Sequence, residues 1–527
     1  MTEKQAQVTR QYSLGIPPSI IKDELSGLYG QNVLADMYNT IQLYQIYDWG
    51  AEFVVDTTKD YVPADLRWKS IKAIINKEAR FLFSKTPDVW VDVNLGDDTQ
   101  SKERAKEAAS VYQDLVDTVL LQNDLKQALV KAAKDCFISK RVALFFNINV
   151  DSGIQISFLP SLEFVYDVDP NNANIITKIV AFYGLNDAKA KSEQRIYKKK
   201  YWMENGFAWY SEEIFDGMGN VVETVSEATK TLFQYIPAWV IVNDGLTGDL
   251  IGESEVELLL DYESWYSRMA SADLDAERGG MNPIRFTIDA APESTKGLSI
   301  AAGSFWDLSS DQNQATDRSA QVGVLDAPMT YTSALSTTLD RIKNMMYEQC
   351  AVPNVSPEAL KGVISSGKTL KAIYWDLIVR CEEKMLAWRP ALQHMVQCII
   401  DGARLYPEAA RLYLQGEPLP DEPFSIRVDN QYPLPEDEAE EKTVDLAEVA
   451  AQTMSKRSYM KKWRNLTDDE ADEELKQIAL ERQILEDSFS NLPPYGSGGK
   501  NENPQKTQET SQEGTPEEEE TEEGLIE

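Results

Sequence analysis

The most regular pattern of apolar and polar positions lies in residues 365–400, where an apolar residue recurs every three or four positions. This spacing predicts an amphipathic α-helix about 52 Å long, at about 1.5 Å per residue. Charged residues, among them Arg380 and Lys384, fall between the apolar ones, so we expect them on the opposite face of the helix. Pro390 lacks an N–H and should kink the helix near Arg389. The apolar positions are Leu370, Tyr374, Leu377, Cys381, Met385, Trp388, Leu392, Met395 and Ile399.

Helical patterns also occur elsewhere in the chain. Apolar residues at helical spacing predict helices within residues 63–85, 100–134, 333–350 and 436–485. Another helix should begin after Ser254, because this hydroxyl and the Glu257 carboxylate fit a capping box. It should end at Gly279 and Gly280, since glycine adopts the left-handed conformation that closes a helix.

Short alternating segments predict antiparallel sheet between Arg141 and about Val225, where turn residues separate them. Similar β character returns in residues 281–332. Within the first region, the run Lys198, Lys199 and Lys200 stands beside two aromatic residues, which is a composition found at nucleic-acid contacts. In an acidic chain we expect this run to be a solvated strand face instead.

Composition and charge limit the function further. The chain has 527 residues, 43% of them hydrophobic, which is enough for about two to four domains. Its formal net charge is −34, so its field repels nucleic acid and disfavours static, tight DNA binding. We expect neither secretion nor a membrane span, because the N-terminus lacks an apolar signal segment and no apolar run approaches about eighteen residues.

The cysteines and the single histidine do not indicate a catalytic or metal-binding site. Cys136, Cys350, Cys381 and Cys398 are scattered without C-x-x-C spacing, so we expect reduced, packed thiols, with neither disulfides nor zinc. His394 is the single histidine, and without a second histidine or nearby nucleophile we expect a structural role. We predict no metal and no cofactor.

One segment matches a nucleotide-binding motif. Residues 362–369, from Gly362 to Thr369, fit the phosphate-loop pattern G-x-x-x-x-G-K-[ST], with Lys368 as its lysine. Such a loop follows a buried strand, yet the preceding residues carry Pro353 and Pro357 and no β-branched run. We therefore favour an ordinary helix start and retain an ATP-hydrolysing motor built on Gly362 to Thr369 as the rival hypothesis.

Four stretches together resemble the portal proteins of tailed bacteriophages, in the siphophage-type branch. They are residues 66–93, 236–272, 365–392 and 454–482. The second resembles the family's Ile-Pro strand, Asn, Gly-x-Ser and long helix, although members usually continue with Asn and Ser where this chain has Tyr262, Glu263 and Ser264. The third resembles its Ser-Gly-x-x-Leu helix.

The resemblance implies an α+β portal-type fold with long stem and wing helices, antiparallel β segments in wing and clip, and a helical crown. The expected parts are wing 1–251, stem helix 252–280, clip 281–332, stem helix 333–350, channel loop 351–366, long wing helix and closing strand 367–435, and crown 436–490. Residues 491–527 are rich in Pro, Gly, Gln and Glu, which predicts a disordered acidic tail.

The resemblance also implies a function without catalysis. The chain would form a ring of about twelve subunits at one capsid vertex of the virion, assembled in the host bacterial cytoplasm. Double-stranded DNA would pass through the ring, contacting it transiently and without sequence specificity. Implied partners are the terminase large subunit, the major capsid and scaffolding proteins, and a head-tail connector or adaptor protein, with no membrane.

The candidate site residues belong to that hypothesis. The DNA-channel candidates are Lys361, Ser365, Ser366 and Lys368. The candidates for contact between subunits are Leu259, Tyr262, Tyr266, Met269, Leu335, Leu339, Ile342 and Met346. A capsid scaffold or adaptor without a channel remains a second rival.

Overall fold

A computed structural model describes most of the chain. The described residues are 17–25, 27–55, 58, 61–96, 98–149, 152–186, 190–246, 248–281, 284–296, 298, 306–311, 319–325, 330–355, 367–413, 419–433, 438–464, 466 and 468–490. Within them, helices alternate with antiparallel sheets, so the predicted α+β class is confirmed. The chain divides into two compact units, residues 1–436 and 437–527.

The first unit contains the sheets and the long helices. Its helices are α1 Pro18–Glu24, α2 Gly27–Trp49, α3 Ser70–Leu82, α4 Thr99–Gln122, α5 Leu125–Ser139, α6 Glu255–Met281, α7 Thr332–Gln349, α8 Gly367–Ile373, α9 Trp375–Leu405 and α10 Pro407–Ala410. Its strands are β1 Asp88–Val93, β2 Arg141–Asn149, β3 Gly153–Pro160, β4 Phe164–Asp169, β5 Asn172–Gly184, β6 Ile196–Glu204, β7 Phe207–Phe215, β8 Val221–Lys230, β9 Ala238–Val242, β10 Ile284–Ile288, β11 Gln321–Leu325 and β12 Phe424–Asp429.

All strand pairs between these elements are antiparallel. A five-stranded sheet has the order β4-β5-β6-β7-β8, and a three-stranded sheet has the order β3-β2-β9. Two ribbons, β1-β12 and β10-β11, join segments distant in sequence. The alternating segments between Arg141 and Phe215 therefore form strands as predicted, and β8 continues the same sheet.

The long helix α9 lies at the centre of the core. Its predicted apolar stripe is confirmed, because Leu377, Cys381, Met385, Trp388, Leu392, Met395 and Ile399 are all buried. The helix packs against α3, α4, β2, β9 and β12. Helix α9 includes Pro390. The predicted rod is interrupted at Tyr374, between α8 and α9.

Helices α6 and α7 form an antiparallel pair. Cys350, which follows α7, places its Sγ 3.5 Å from Oε2 of Glu255, the first residue of α6. At the other end, Tyr331 precedes α7 and its side chain meets that of Asp273, late in α6. Residues 281–332 connect the far ends of the two helices, and their described part contains the β10-β11 ribbon.

The predicted caps of α6 are corrected in part. The Ser254 hydroxyl accepts a hydrogen bond from the Val256 N–H at 3.1 Å and donates one to the Ile138 carbonyl at 2.7 Å. The Glu257 carboxylate does not reach back to the cap, because it binds the Lys140 ammonium at 3.0 Å. At its other end the helix runs through both glycines to Met281.

The second unit contains three described helices, which confirms the helical pattern predicted for residues 436–485. They are α11 Glu438–Ala450, α12 Lys456–Arg464 and α13 Asp468–Ser490. The Asp445 carboxylate, on α11, accepts hydrogen bonds from the Lys462 ammonium at 2.9 Å and the Trp463 indole N–H at 2.7 Å. Residues 491–527, with the predicted acidic tail, lie outside the described residues.

Candidate functional site

Among the described residues, a cluster of buried ionisable side chains lies where α3, α6 and α9 meet, beside the end of α7. Glu78 comes from α3, Glu255 from the first position of α6, and Arg380 and Lys384 from successive turns of α9. Cys350 completes the group at the end of α7. We call these five residues the junction, since they connect the start of α6 and the end of α7 to the central helix α9.

Short ion pairs connect the charged groups of the junction. Glu255 Oε1 accepts from Arg380 Nη2 at 2.5 Å and from Lys384 Nζ at 2.7 Å. Glu78 Oε1 accepts from Arg380 Nε at 2.9 Å. Lys384 Nζ also donates to Asn243 Oδ1 at 2.8 Å. Five side chains from four segments are therefore fixed to one another by charge-assisted hydrogen bonds, which are stronger than neutral ones.

The two carboxylates of the junction have opposite pKa shifts. Burial opposes ionisation of both, but the charges of Lys384 and Arg380 outweigh it at Glu255 and lower its pKa to about 2. Burial and the Glu255 charge raise the pKa of Glu78 to about 7. The Glu78 Oε2 atom is buried without a hydrogen-bond partner among the described residues, whereas both cations bind Glu255 directly.

The sequence prediction for Arg380 and Lys384 was wrong. Helical spacing placed both on the charged face of the helix, but the Lys384 side chain is 2% exposed and that of Arg380 is 18% exposed. Spacing identifies which side of a helix a residue occupies and not what covers that side. Here α3 and the start of α6 cover it with carboxylates. In the sequence, Arg380 and Lys384 look like any other charged residues of an amphipathic helix, because their carboxylate partners lie on distant segments.

A second polar array lies along α6 and was also missed. Residues 62–69 run as an extended segment beside this helix, and we call them the strap. Side chains four residues apart on α6 accept hydrogen bonds from alternate backbone N–H groups of the strap. The pairs are Ser267 Oγ with Trp68 N at 3.0 Å, Ser271 Oγ with Leu66 N at 2.9 Å, and Asp275 Oδ1 with Ala64 N at 2.9 Å.

Matching repeat lengths explain this ladder of bonds. Four residues of α-helix rise about 6.0 Å, and two residues of extended chain rise about 6.6 Å, so successive pairs stay aligned. At its ends, Glu263 Oε2 accepts from Ile71 N at 2.6 Å and Arg278 donates to the Val62 carbonyl at 2.9 Å. The ladder therefore attaches the segment before α3 to much of the length of α6.

The three lysines of β6 are paired, so the prediction of a solvated strand face was wrong. Lys198 Nζ lies 2.5 Å and Lys200 Nζ 2.8 Å from the two carboxylate oxygens of Glu24, on α1. Lys199 Nζ lies 3.0 Å from Glu212 Oε1, directly across the sheet. Each ammonium thus has a carboxylate partner within the chain, and none is presented to a nucleic acid as an unpaired charge.

The histidine and cysteine predictions agree with the structure. His394 Nε2 lies 3.2 Å from the Ile236 carbonyl oxygen, and burial lowers the pKa of the ring to about 4. The four cysteines are buried free thiols, as predicted. Burial raises the pKa of each of these thiols, which makes the thiolate scarce. These groups pack and hydrogen-bond within the core.

The DNA-channel candidates receive no structural test. Lys361, Ser365 and Ser366 lie outside the described residues, as do the first five positions of the phosphate-loop motif. Lys368 lies in the first turn of α8, without a described side chain. Among the described residues, the element that precedes the motif is the helix α7, and residues 351–355 after it contain no strand.

The predicted subunit-contact residues divide into two groups. Leu259 and Met346 are fully buried within the subunit, so their side chains are covered before any assembly. The remaining candidates, Tyr262, Tyr266, Met269, Leu335, Leu339 and Ile342, are half-buried. Helices α6 and α7 pack on each other. Part of the apolar surface that was predicted to contact another copy is therefore buried within one copy.

In the part of the chain that the structure describes, no group of three or more His, Cys, Asp or Glu side chains is placed to hold a metal ion. Across the same residues, no helix combines the length and apolar character of a membrane span.

Comparison with known proteins adds an independent finding. A family model described as phage portal protein, SPP1 Gp6-like, matches residues 32–484. The matched segment includes α3, α6, α7 and α9, and therefore every residue of the junction and of the ladder. No curated protein matches the chain.

Proposed function

The chain belongs to the SPP1 Gp6-like family of phage portal proteins, and from this membership we propose that it forms a ring around the path of double-stranded DNA at one capsid vertex. DNA enters through this ring during packaging and leaves through it at ejection. The ring has about twelve copies, as closed cyclic assemblies of one chain allow. The family match over residues 32–484 is the observation that carries this proposal.

In this proposal each segment of the chain has a part. The antiparallel pair α6 and α7 is the stem, residues 281–332 are the clip, and the sheets with α9 form the wing. Residues 351–366 are the channel loop, and residues 436–490, which contain the three helices of the second unit, are the crown. Residues 361, 365, 366 and 368 remain the DNA-channel candidates, with transient phosphate contacts from the two lysines.

The charge of the chain supports passage rather than capture of DNA. A net charge of −34 per copy repels phosphates. The lysine run of β6 is paired with the carboxylates of Glu24 and Glu212. A basic sleeve would release counterions and hold the duplex. An acidic ring lets it slide.

The junction supports mechanical coupling between the proposed stem and wing. Arg380 and Lys384 bind the first residue of α6, and the end of α7 meets the same carboxylate through Cys350. Beyond it, the Lys77 ammonium donates to the Pro353 carbonyl, at the start of the proposed channel loop. A displacement of that loop would therefore act on the central helix of the wing.

The partners follow from the family and are part of the proposal. The clip meets the terminase large subunit during packaging and the head-tail connector afterwards. The wing meets the major capsid and scaffolding proteins. Assembly takes place in the host bacterial cytoplasm, and the mature location is the capsid vertex of the virion.

A DNA-packaging reaction tests whether DNA passes through a ring of this chain. Capsid shells assembled with and without this chain are given terminase, ATP and DNA, and nuclease-protected DNA is measured. We expect protected DNA in shells that contain the chain. Equal protection in shells without it would contradict the proposal.

A measurement of nucleotide binding distinguishes the proposed DNA channel from the ATP-hydrolysing motor hypothesis. We expect no ATP binding by the purified chain and unchanged packaging with Lys368→Ala. ATP binding that disappears with this substitution would favour a motor built on residues 362–369.

A further inference from the structure

The chain leaves α7 through a tightly bonded turn, residues 350–354, which we call the exit turn. The Val352 N–H donates to the Tyr347 carbonyl at 2.9 Å, and the Ala351 N–H donates to the Glu348 carbonyl at 3.0 Å. These two bonds close a Schellman motif, in which glycine usually takes the left-handed position. Here Ala351 takes it, with φ of 51°. Contacts of the exit turn must therefore offset the strain of this conformation.

Lys77, on α3, supplies one of these contacts. Its ammonium donates a hydrogen bond to the Pro353 carbonyl, and lies 5.9 Å from the centre of the Tyr347 ring and 6.0 Å from that of Tyr374. Burial lowers the pKa of this ammonium, and no carboxylate of the described residues forms an ion pair with it. A carbonyl and two aromatic rings therefore orient the charge without neutralising it.

Phe81, one turn further along the same face of α3, contacts the start of α9. Its ring stacks on that of Tyr374, with the centroids 5.6 Å apart and the planes 8° apart. It also stacks on Tyr432, with the centroids 5.4 Å apart. Because Tyr374 lies between α8 and α9, one face of α3 contacts both the end of α7 and the start of α9. We call Lys77 and Phe81 the clamp.

The clamp determines how the end of the proposed stem is placed against the central helix of the wing. From its contacts we propose that Lys77 is a positioning residue for DNA passage, because its bond to Pro353 fixes where the proposed channel loop begins relative to α9. Phe81 supports the same arrangement from the side of Tyr374. This inference rests on the proposed function and names the residue that holds the start of that loop. Lys77 acts through Pro353 and does not itself contact DNA.

Hydrogen exchange tests the contact. Lys77→Met keeps an unbranched side chain but removes the ammonium, so we expect roughly tenfold faster exchange at the Val352 amide. Lys77→Arg can still donate to the carbonyl and should exchange like the wild type. Lys85→Met, at an exposed lysine just after α3, is the matched control and should change nothing. Unchanged exchange at Val352 in Lys77→Met would overturn the inference.

Phe81→Leu tests the clamp without touching the ammonium. It keeps an apolar side chain and loses the stacked ring, so we expect faster exchange at the Tyr374 amide, which donates to the Leu370 carbonyl at 3.1 Å. Thermal unfolding verifies that each variant is folded. Unchanged exchange at Tyr374 would overturn the part of the inference that concerns Phe81.

DNA packaging measures the consequence for passage. Shells assembled with each variant are given terminase, ATP and DNA, and mass photometry of the purified variants verifies that rings form. We expect a loss of nuclease-protected DNA with Lys77→Met and with Phe81→Leu, and wild-type protection with Lys77→Arg and Lys85→Met. Rescue by arginine distinguishes the hydrogen bond to Pro353 from a general effect of altered packing.

The outcomes separate this inference from the proposed function. Full packaging by Lys77→Met despite faster exchange would overturn the positioning role and leave the ring and its DNA path intact. Equal losses in Lys77→Arg and Lys77→Met would also overturn it, because the hydrogen bond would then not be the cause. Wild-type shells that protect no DNA would contradict the proposed function itself.

Discussion

At the residue scale, the junction shows how two glutamates in one cluster differ. Glu255 receives both cations directly and its pKa falls to about 2, whereas Glu78 is buried with one unpartnered oxygen and its pKa rises to about 7. Glu255 therefore stabilises the fold above its ordinary pKa and loses that contribution as pH falls toward 2. Glu78 contributes below its ordinary pKa and loses that contribution as pH rises through 7.

Removing the Glu255 charge should destabilise the chain strongly. Glu255→Gln leaves Arg380 and Lys384 partly uncompensated inside the protein, and we expect a loss of about 3–5 kcal/mol at neutral pH. Urea-induced unfolding at one fixed protein concentration measures this loss. Glu253→Gln, at an exposed neighbour, is the control and should change stability little. A loss below about 1 kcal/mol in Glu255→Gln would contradict the junction's role.

Removing the Glu78 charge should alter the pH profile instead. Between about pH 4.5 and 7 the folded wild type holds a proton on Glu78 that the unfolded chain releases, so wild-type stability falls as pH rises. In Glu78→Gln this contribution is absent. We expect the stability advantage of the wild type over the variant to shrink by about 2–3 kcal/mol between pH 4.5 and 8. A constant difference across that range would show that Glu78 is ionised throughout.

At the element scale, the ladder explains how an extended segment is held without a sheet. The strap has alternate N–H groups that a neighbouring strand would normally satisfy, and serine and aspartate side chains of α6 take that place. Replacing one rung removes an acceptor and leaves a backbone N–H unpaired. A substitution at a single position of the ladder should therefore lower the stability of the fold.

Ser271→Ala tests one rung. We expect a loss of about 1–3 kcal/mol and roughly tenfold faster hydrogen exchange at the Leu66 amide. Ser264→Ala is the control, since that hydroxyl donates to the Glu52 carbonyl at 3.4 Å and accepts no N–H of the strap. Unchanged exchange at Leu66 in Ser271→Ala would mean that water satisfies this amide.

Periodicity predicted which faces of the helices are buried, and it could not predict their partners. The stripe of α9 is buried as expected, because apolar burial depends on spacing along one element. The helix predicted within residues 63–85 likewise buries one face, with Ile71, Ile74 and Ile75. The junction and the ladder depend on residues 95 to 302 positions apart, such as Cys350 with Glu255 and Glu78 with Arg380. Helix α2 was missed because its apolar residues are not confined to one face.

The subunit-contact prediction shows the same limit. Spacing identified Leu259 and Met346 as apolar positions of α6 and α7, but both are buried inside one copy. The exposed positions, Leu258 and Trp265, lie beside the predicted stripe. A sequence can indicate that a helix is amphipathic without showing whether its partner is in the same chain.

At the scale of the whole molecule, the account depends on assembly into a ring. The family match and the exposed large apolar side chains of α6 and α9, such as Trp265 and Trp375, agree with a chain completed by identical neighbours. The most direct measurement is the native mass of the purified protein together with electron-microscope top views. The account predicts a closed ring of about twelve copies with an axial opening wide enough for duplex DNA. A monodisperse monomer at high concentration, or an assembly without an axial opening, would contradict it.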